Sequence, residues 1–328
     1  MTTHAAAEKA ATHISTIPRQ LAHRCAVSEV FVTSLDTLGP DSFLVGAQLP
    51  RMHAYYGDHA GSQGLRHDPL LVMEAARQAA IALTHEFYGV PTDRAFVVRT
   101  FNGTGADTRA WETGVAPSDL VMRVRAPNHH RRGDVLHGLD MVLEIFADGE
   151  PMFTVDGSFS WTTASHWTAL RDGFRKSLGL GPFRGAAPIG ERADAASVGR
   201  GSKRNVVIGP PERDGDIARA DLVSDLSHPF LFDHQLDHVP GSLLIEACRQ
   251  IGLSLVLPEL PRPVSVASTF ERFVELDLPA ECVGEIIESG AGTAVVRGEI
   301  RQAGAVAARV DVEFAGDALD AEPIVDGA

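Results

Sequence analysis

A short pattern of charged and amide side chains, Glu-Ala-x-Arg-Gln, occurs twice inside apolar surroundings. It is Glu74-Ala75-Ala76-Arg77-Gln78 after Leu70-Leu71-Val72-Met73, and Glu246-Ala247-Cys248-Arg249-Gln250 after Leu243-Leu244-Ile245. Glu, Arg and Gln fall at i, i+3 and i+4, so in each copy they share one face of a helix. A charge on a helix with apolar neighbours is costly unless it is paired or used. Two copies of the same trio, 172 residues apart, therefore imply an internal duplication and mark where chemistry is expected.

The repeat extends outward. Upstream, His53-x4-Asp58-His59 matches His228-x4-Asp233-His234; fifteen residues separate His59 from Glu74 and twelve separate His234 from Glu246. That difference is an ordinary loop insertion. Downstream, helix-like apolar stretches run from Ala79 to Phe87 and from Ile251 to Leu255, and Pro91 and Pro258 stop them. Strand-like segments follow. Val121 to Arg125 alternates, Met141–Ala147 and Pro151–Trp161 predict a hairpin at Asp148-Gly149, and Ala294–Arg301 with Val306–Phe314 predicts its twin near Ala303-Gly304. Each half thus has one long apolar helix and several antiparallel strands. A helix apolar on nearly every side must be surrounded, and a strongly curved sheet can do it. The expected fold class is α+β with two such units, residues 21–167 and 204–316. A Gly-, Ala-, Arg- and Ser-rich linker, 168–203, joins them and carries one short helix near Thr168–Ser177. Residues 1–20 and the acidic tail 317–328 are expected to be poorly ordered.

Composition narrows the function classes. The net charge of −14 disfavours binding to nucleic acid. No apolar run approaches the ~18 residues that span a bilayer, and the N-terminus lacks a signal-peptide layout. Cys25, Cys248 and Cys282 are widely spaced, with no C-x-x-C pair, which suits a reduced cytoplasmic protein without a zinc cage. Asn102-Gly103-Thr104-Gly105 lacks the third glycine and the βαβ setting of a dinucleotide site, and there is no G-x-S-x-G elbow. No cofactor or metal is expected.

The segment His228 to Gln250, including Asp233-His234, Pro240-Gly241-Ser242 and Glu246-Ala247-Cys248-Arg249-Gln250, resembles the signature of the A-factor biosynthesis (AfsA-like) family. Arg66 to Gln78 resembles that family's N-terminal copy. The resemblance covers roughly residues 25–165 and 203–316. It implies a double hotdog fold, in which each of two helices is wrapped by an antiparallel sheet. It also implies transfer of a β-ketoacyl chain from an acyl carrier protein to the hydroxyl of dihydroxyacetone phosphate, on the way to a γ-butyrolactone or butenolide signal. Pro240-Gly241 followed by Glu246 is similar also to hotdog dehydratases. Those place a catalytic His eight residues before the Pro, where this chain has Phe232, which counts against dehydration.

Such a transfer needs a base, a donor for the oxyanion and positive charge for the phosphate. A buried carboxylate beside an arginine suits a general base. Glu246 is expected in that role, with Arg249 as phosphate anchor and Gln250 orienting a carbonyl or the acid. The backbone after Pro240, at Gly241 and Ser242, would open a helix and favour anions. Glu74, Arg77 and Gln78 are either a second site or its structural echo. Asp233 and His234 are expected at the substrate, with His238 as another acid/base candidate; the more frequent role for any one of His53, His59, His228, His234 and His238 is a satisfied loop or core histidine. The basic stretch Asn128 to Arg132, with Arg123 and Arg125, could dock an acidic carrier protein. The competing readings are a hotdog dehydratase or thioesterase, and a non-catalytic binder of acyl or lactone ligands. The repeat makes the chain an internal pseudo-dimer and is compatible with a homodimer.

Overall fold

The structure is a computed structural model and describes residues 10–60, 66–105 and 108–316. The first half holds β1 (Val32–Gly39), β2 (Ser42–Leu49), α1 (Pro69–Tyr88), β3 (Ala95–Thr104), β4 (Ser118–Arg132), β5 (Val135–Ala147) and β6 (Glu150–Thr162). After α2 (Ala164–Ser177) the second half holds β7 (Glu212–Asp214), β8 (Ile217–Asp221), α3 (Gly241–Val256), β9 (Arg262–Phe270), β10 (Ala280–Gly290), β11 (Thr293–Gln302) and β12 (Ala305–Ala315). All twelve strands form one sheet, in the order β1-β2-β4-β5-β6-β3-β9-β12-β11-β10-β8-β7. Read from either end, the order is the same succession of equivalent strands, so the duplication is a pseudo-twofold about the β3–β9 seam. This is the double hotdog.

Both predicted hairpins form. Asp148 and Gly149 have φ of 51° and 80°, and Ala303 and Gly304 have 50° and 75°. Two left-handed residues in succession match the twist of the flanking strands. At the seam, Asn102 donates to Asp156 at 2.9 Å and accepts from the Ser268 amide at 2.9 Å. A side chain at Gly103 would run into the Phe153 ring. The Asn-Gly-Thr-Gly segment is therefore seam packing.

The two halves differ in how the helix meets its sheet. In the second half, a Cβ at Gly298 would lie 2.5 Å from that of Cys248, and one at Gly252 would lie 2.6 Å from the Phe314 ring. A Cβ at Gly284 would meet Ile251 at 3.0 Å. These glycines let α3 rest directly on the strands. Gly298 pairs with Gly284 and Val310, and Leu143 pairs with Val124 and Val155. Ala80 stands in α1 where Gly252 stands in α3. Larger side chains thus prop α1 away from its sheet, and a gap remains, lined by Met73, Ala80, Met141 and Phe159.

Part of the expected disordered N-terminus is structured, and the helix expected in the linker is present as α2. Among residues 10–20, the Thr12 amide donates to Ser34 Oγ and the Ile17 amide to the Val32 carbonyl, each at 3.0 Å. Within 168–203, α2 is pinned by buried arginines: Arg171 donates to Glu275 at 2.7 and 2.9 Å, and Arg175 pairs with Glu275 and with Asp277. The remaining disorder expectations, for residues 1–9 and 317–328, fall outside the described residues. No helix among the described residues is long and apolar enough to cross a membrane.

Because Gly298 backs onto Cys248, Gly298→Val is expected to destabilise the protein by about 1–3 kcal/mol through overpacking. Urea unfolding measures it; a loss below about 0.5 kcal/mol would contradict the close seating of α3.

Candidate active site

Each central helix buries its glutamate, and each glutamate is met by an arginine that arrives from outside the repeat motif. Glu74 Oε1 accepts from Arg24 Nε at 3.0 Å and lies 2.7 Å from Arg24 Nη2. Glu246 Oε1 accepts from Arg200 Nε at 2.9 Å and lies 2.7 Å from Arg200 Nη2. Each arginine then crosses to the other half. Arg24 donates to the Phe230 carbonyl at 3.3 Å and stacks 4.5 Å above its ring. Arg200 donates to the Tyr55 carbonyl at 2.6 Å and stacks 4.7 Å above Tyr55. The glutamines complete the pattern: Gln78 bridges Glu74 to the Glu29 carbonyl and Phe31 amide, and Gln250 bridges Glu246 to the Asn205 carbonyl and Val207 amide.

The symmetry breaks at the helix N-termini. Asp68 caps α1, accepting from the Leu70 amide at 2.9 Å. Its other oxygen lies 2.7 Å from Arg249 Nη1 and 3.1 Å from His59 Nε2. Arg249 also meets Glu246 Oε2 at 2.5 Å, an ion pair without aligned hydrogen-bond geometry. Glu246 and Arg249 are thus sealed in a cluster with Arg200, Asp68 and His59. Burial works to raise the Asp68 carboxyl, but Arg249 and His59 hold it well below the usual carboxylate range. The position equivalent to Asp68 is Pro240, which starts α3 with no side-chain cap. Arg77 therefore has no aspartate opposite it. It binds Glu74 through Nε and Nη2, each at 2.8 Å, and its side chain stays 28% exposed.

The space follows the charge. Around His59, Asp68 and Pro69 only about 40 Å³ is open. Around Arg77, Pro240, Gly241 and Ser242 a cleft of about 1260 Å³ opens and continues into the gap beneath α1. Glu74, Asp233 and His234 also line it; Glu246, Arg249, Gln250 and Gln78 do not. Among the histidines, His53 and His228 cap turns through Nδ1, accepting from the amides of Tyr55 and Tyr56 and of Phe230 and Leu231. His234 Nδ1 donates to Asp233 at 2.5 Å and leaves a half-exposed ring at the cleft. His238 is likewise tied to Asp237, at 2.8 Å. On the basic stretch of β4, His129 meets Asp41, His130 meets Asp140 and Arg125 meets Glu144, while Arg131 donates to the Asp134 carbonyl and Arg123 lies over the Phe146 ring.

The sequence matches the model of the AfsA family, the A-factor biosynthesis hotdog domain, over residues 5–163 and 184–315. The chain belongs to the A-factor biosynthesis hotdog family. Among similar proteins, a Streptomyces virginiae 2-oxo-3-(phosphooxy)propyl 3-oxoalkanoate synthase is 34% identical, over 81% of this chain and 85% of its own length. The Streptomyces griseus protein of the same name is 30% identical, over 83% and 86%. The expectation of an enzyme is met at that level, since these family members are synthases. Among solved structures, a protein from Lactobacillus plantarum described as an oleoyl thioesterase superposes with a TM-score of 0.53 at 12% identity. It covers 85% of this chain and 99% of that one, and shows the hotdog fold.

Two sequence expectations for this family member change. Glu246 and Arg249, expected as base and phosphate anchor, are buried and do not line the cleft, and Asp68 already occupies Arg249. Gln250 and Gln78, expected at the substrate, instead satisfy the backbone ahead of the first strands. Arg24 and Arg200 were missed. Both lie five residues before the carbonyl that the glutamine holds, Glu29 and Asn205, and this second repeat spacing is their only sequence signal.

Burial raises the proton affinity of Glu74, but Arg24 and Arg77 outweigh it and pull the carboxyl down to about 2 from an ordinary 4.5. Glu74 is therefore ionised at neutral pH. A depressed carboxyl contributes stability that is present above its unfolded value and lost as pH falls through the folded one. The stability gap between the wild type and Glu74→Gln is expected to be full above about pH 5 and to close toward pH 2. Urea melts across that range test it; a gap that does not change with pH would contradict the ion cluster.

Proposed function

We propose that this protein transfers a β-ketoacyl group from an acyl carrier protein to the hydroxyl of dihydroxyacetone phosphate. The ester formed can close to a butenolide phosphate, the precursor of a γ-butyrolactone-type signal. The observation that carries the reading is the asymmetry between the two glutamate–arginine clusters. In the closed one, the Asp68 carboxylate sits on Arg249 at a helix N-terminus. In the open one, Arg77 and the N-terminus of α3 face a cleft, and an anion from solution can take the corresponding place. The relatives' shared name describes an ester of a 3-oxo acid with a phosphorylated three-carbon ketone, which has the required anion and the required acyl chain.

Roles follow from position. Arg77 binds the phosphate, as a guanidinium with two donors in a fixed fork does well. Glu74, kept ionised by Arg24, holds Arg77 in that orientation and is a positioning residue. The first amides of α3, at Gly241 and Ser242, have no intrahelical acceptors and point along the positive end of the helix dipole. They receive the oxyanion that develops on the thioester carbonyl. His234, oriented by Asp233, presents its remaining ring nitrogen at the cleft mouth. The apolar gap beneath α1 takes the acyl chain.

Purified protein given a β-ketoacyl carrier protein and dihydroxyacetone phosphate should form the phosphorylated ester, detected by mass spectrometry. Free acid without ester would instead indicate a thioesterase. Arg77→Ala should raise KM for dihydroxyacetone phosphate roughly 10- to 100-fold, the value of a hydrogen bond to a charged group. Pro240→Asp would place on Arg77 the carboxylate that Asp68 places on Arg249. It should lower activity by at least about 100-fold while the protein stays folded, since aspartate is a favoured N-cap. An active Pro240→Asp protein would remove the basis for this assignment.

A further inference from the structure

We propose that His23 is the general base for this reaction, holding its lone pair on Nδ1 and positioned by a histidine relay through His85. The proposal rests on the acyl-transfer reading above. His23 lines the cleft. Its Nε2 lies 2.9 Å from His85 Nε2, and His85 Nδ1 lies 2.6 Å from the Val90 carbonyl. A carbonyl can only accept, so His85 carries its proton on Nδ1. With one proton on each ring, His85 is left with a lone pair on Nε2, and the contact between the two rings requires the proton on His23 Nε2. The lone pair of neutral His23 is left on Nδ1. The rings stack at 4.9 Å and Phe96 closes edge-on at 5.2 Å, which fixes the orientation.

The duplicated half supplies an independent reason to assign a function. Arg24 and Arg200 are equivalent, so His23 is equivalent to Gly199. Both are left-handed, with φ of 51° and 74°. Glycine adopts that conformation freely, whereas a residue with a Cβ is strained by roughly 1–2 kcal/mol. The half with the closed cluster uses the unstrained residue. The half with the open cleft keeps a histidine at the same strained position, as functional sites commonly do.

The surroundings keep the ring neutral. Burial, then His85 and Arg77 from α1 and His234 from the loop before α3, lower it to about 4. Protonation beside Arg77 is unfavourable until an anion offsets that charge. A phosphate dianion on Arg77 does so, and raises the proton affinity of His23 when the hydroxyl is in place. In the step, the hydroxyl proton passes to Nδ1 as its oxygen bonds the thioester carbon. When the tetrahedral adduct collapses, the C–S bond breaks and the same proton goes to the departing carrier thiolate.

The test uses His23→Gly, which reproduces the residue of the other half and relieves the backbone. The variant should fold at least as well as the wild type. It should lose at least about 100-fold in kcat, with KM for dihydroxyacetone phosphate changed less than about threefold. A kcat within about threefold of the wild type overturns the proposal. Nitrogen-15 histidine NMR on the wild-type protein should show the Nε2–H tautomer of His23. Its titration midpoint should rise by about one unit or more with saturating dihydroxyacetone phosphate, or with inorganic phosphate. An Nδ1–H tautomer, or no shift with either anion, overturns it as well. Absence of ester from the wild-type protein would overturn the acyl-transfer reading instead, and the NMR outcome would still decide where the lone pair lies.

Discussion

A carboxylate placed in the middle of an apolar helix must be met by a cation, and everything distinctive in this molecule follows from how that is done twice. The helix motif supplies one arginine, three residues on. The second, Arg24 or Arg200, enters from the segment ahead of the half's first strands and then reaches a loop carbonyl of the opposite half. The pair of helices is thereby bolted together by interactions that cross the pseudo-twofold. Removing one member of such a cluster leaves a buried charge, a far larger penalty than the net gain from making the cluster. That penalty explains why both copies keep all of Glu, Arg and Gln although the cleft opens at only one of them.

Duplication alone gives two equivalent clusters; in this chain they differ. The difference is small in chemistry, aspartate at one helix start and proline at the other. Asp68 satisfies the α1 N-terminus and Arg249 together, so that end is electrostatically complete without a ligand. Pro240 satisfies neither the α3 N-terminus nor Arg77. An uncapped helix start and a partly exposed guanidinium both favour an anion.

Much of this was legible in the sequence. The helix period, the turn pairs Asp148-Gly149 and Ala303-Gly304, and the recurrence of Asp58-His59 as Asp233-His234 define the two halves and their central helices. The family resemblance adds the double hotdog, and both agree with the structure. The longer match to the family signature lies in the second half, and that drew attention to Glu246 and Arg249. It could not show which arginine is already neutralised, because Asp68 and Arg249 are 181 residues apart and meet only across the pseudo-twofold. The signature nevertheless marks the open cleft, since Asp233, His234, Gly241 and Ser242 all line it. The second half contributes its loop and helix start, and the first half contributes Glu74 and Arg77. Arg200 lay in the expected linker, and His23 and Arg24 lay at the very start of the first expected unit, where no hydrophobic period singles out a residue.

The packing of the helices gives the same division of labour. Gly252, Gly284 and Gly298 remove side chains at three places where α3 meets its sheet, so that helix lies close on the strands. Ala80, Val124 and Leu143 occupy those positions in the first half and keep α1 raised. A gap beneath a raised helix has apolar walls by construction, because the side chains lining it are the ones that would otherwise form the core. It also begins at the face of α1 that carries Glu74 and Arg77. One set of substitutions, glycine for a larger residue at three contacts, therefore places an apolar cavity against Arg77, the helix-motif arginine left without an aspartate. A ligand with a long acyl chain at one end and an anion at the other fits both features at once, and neither feature alone would select it.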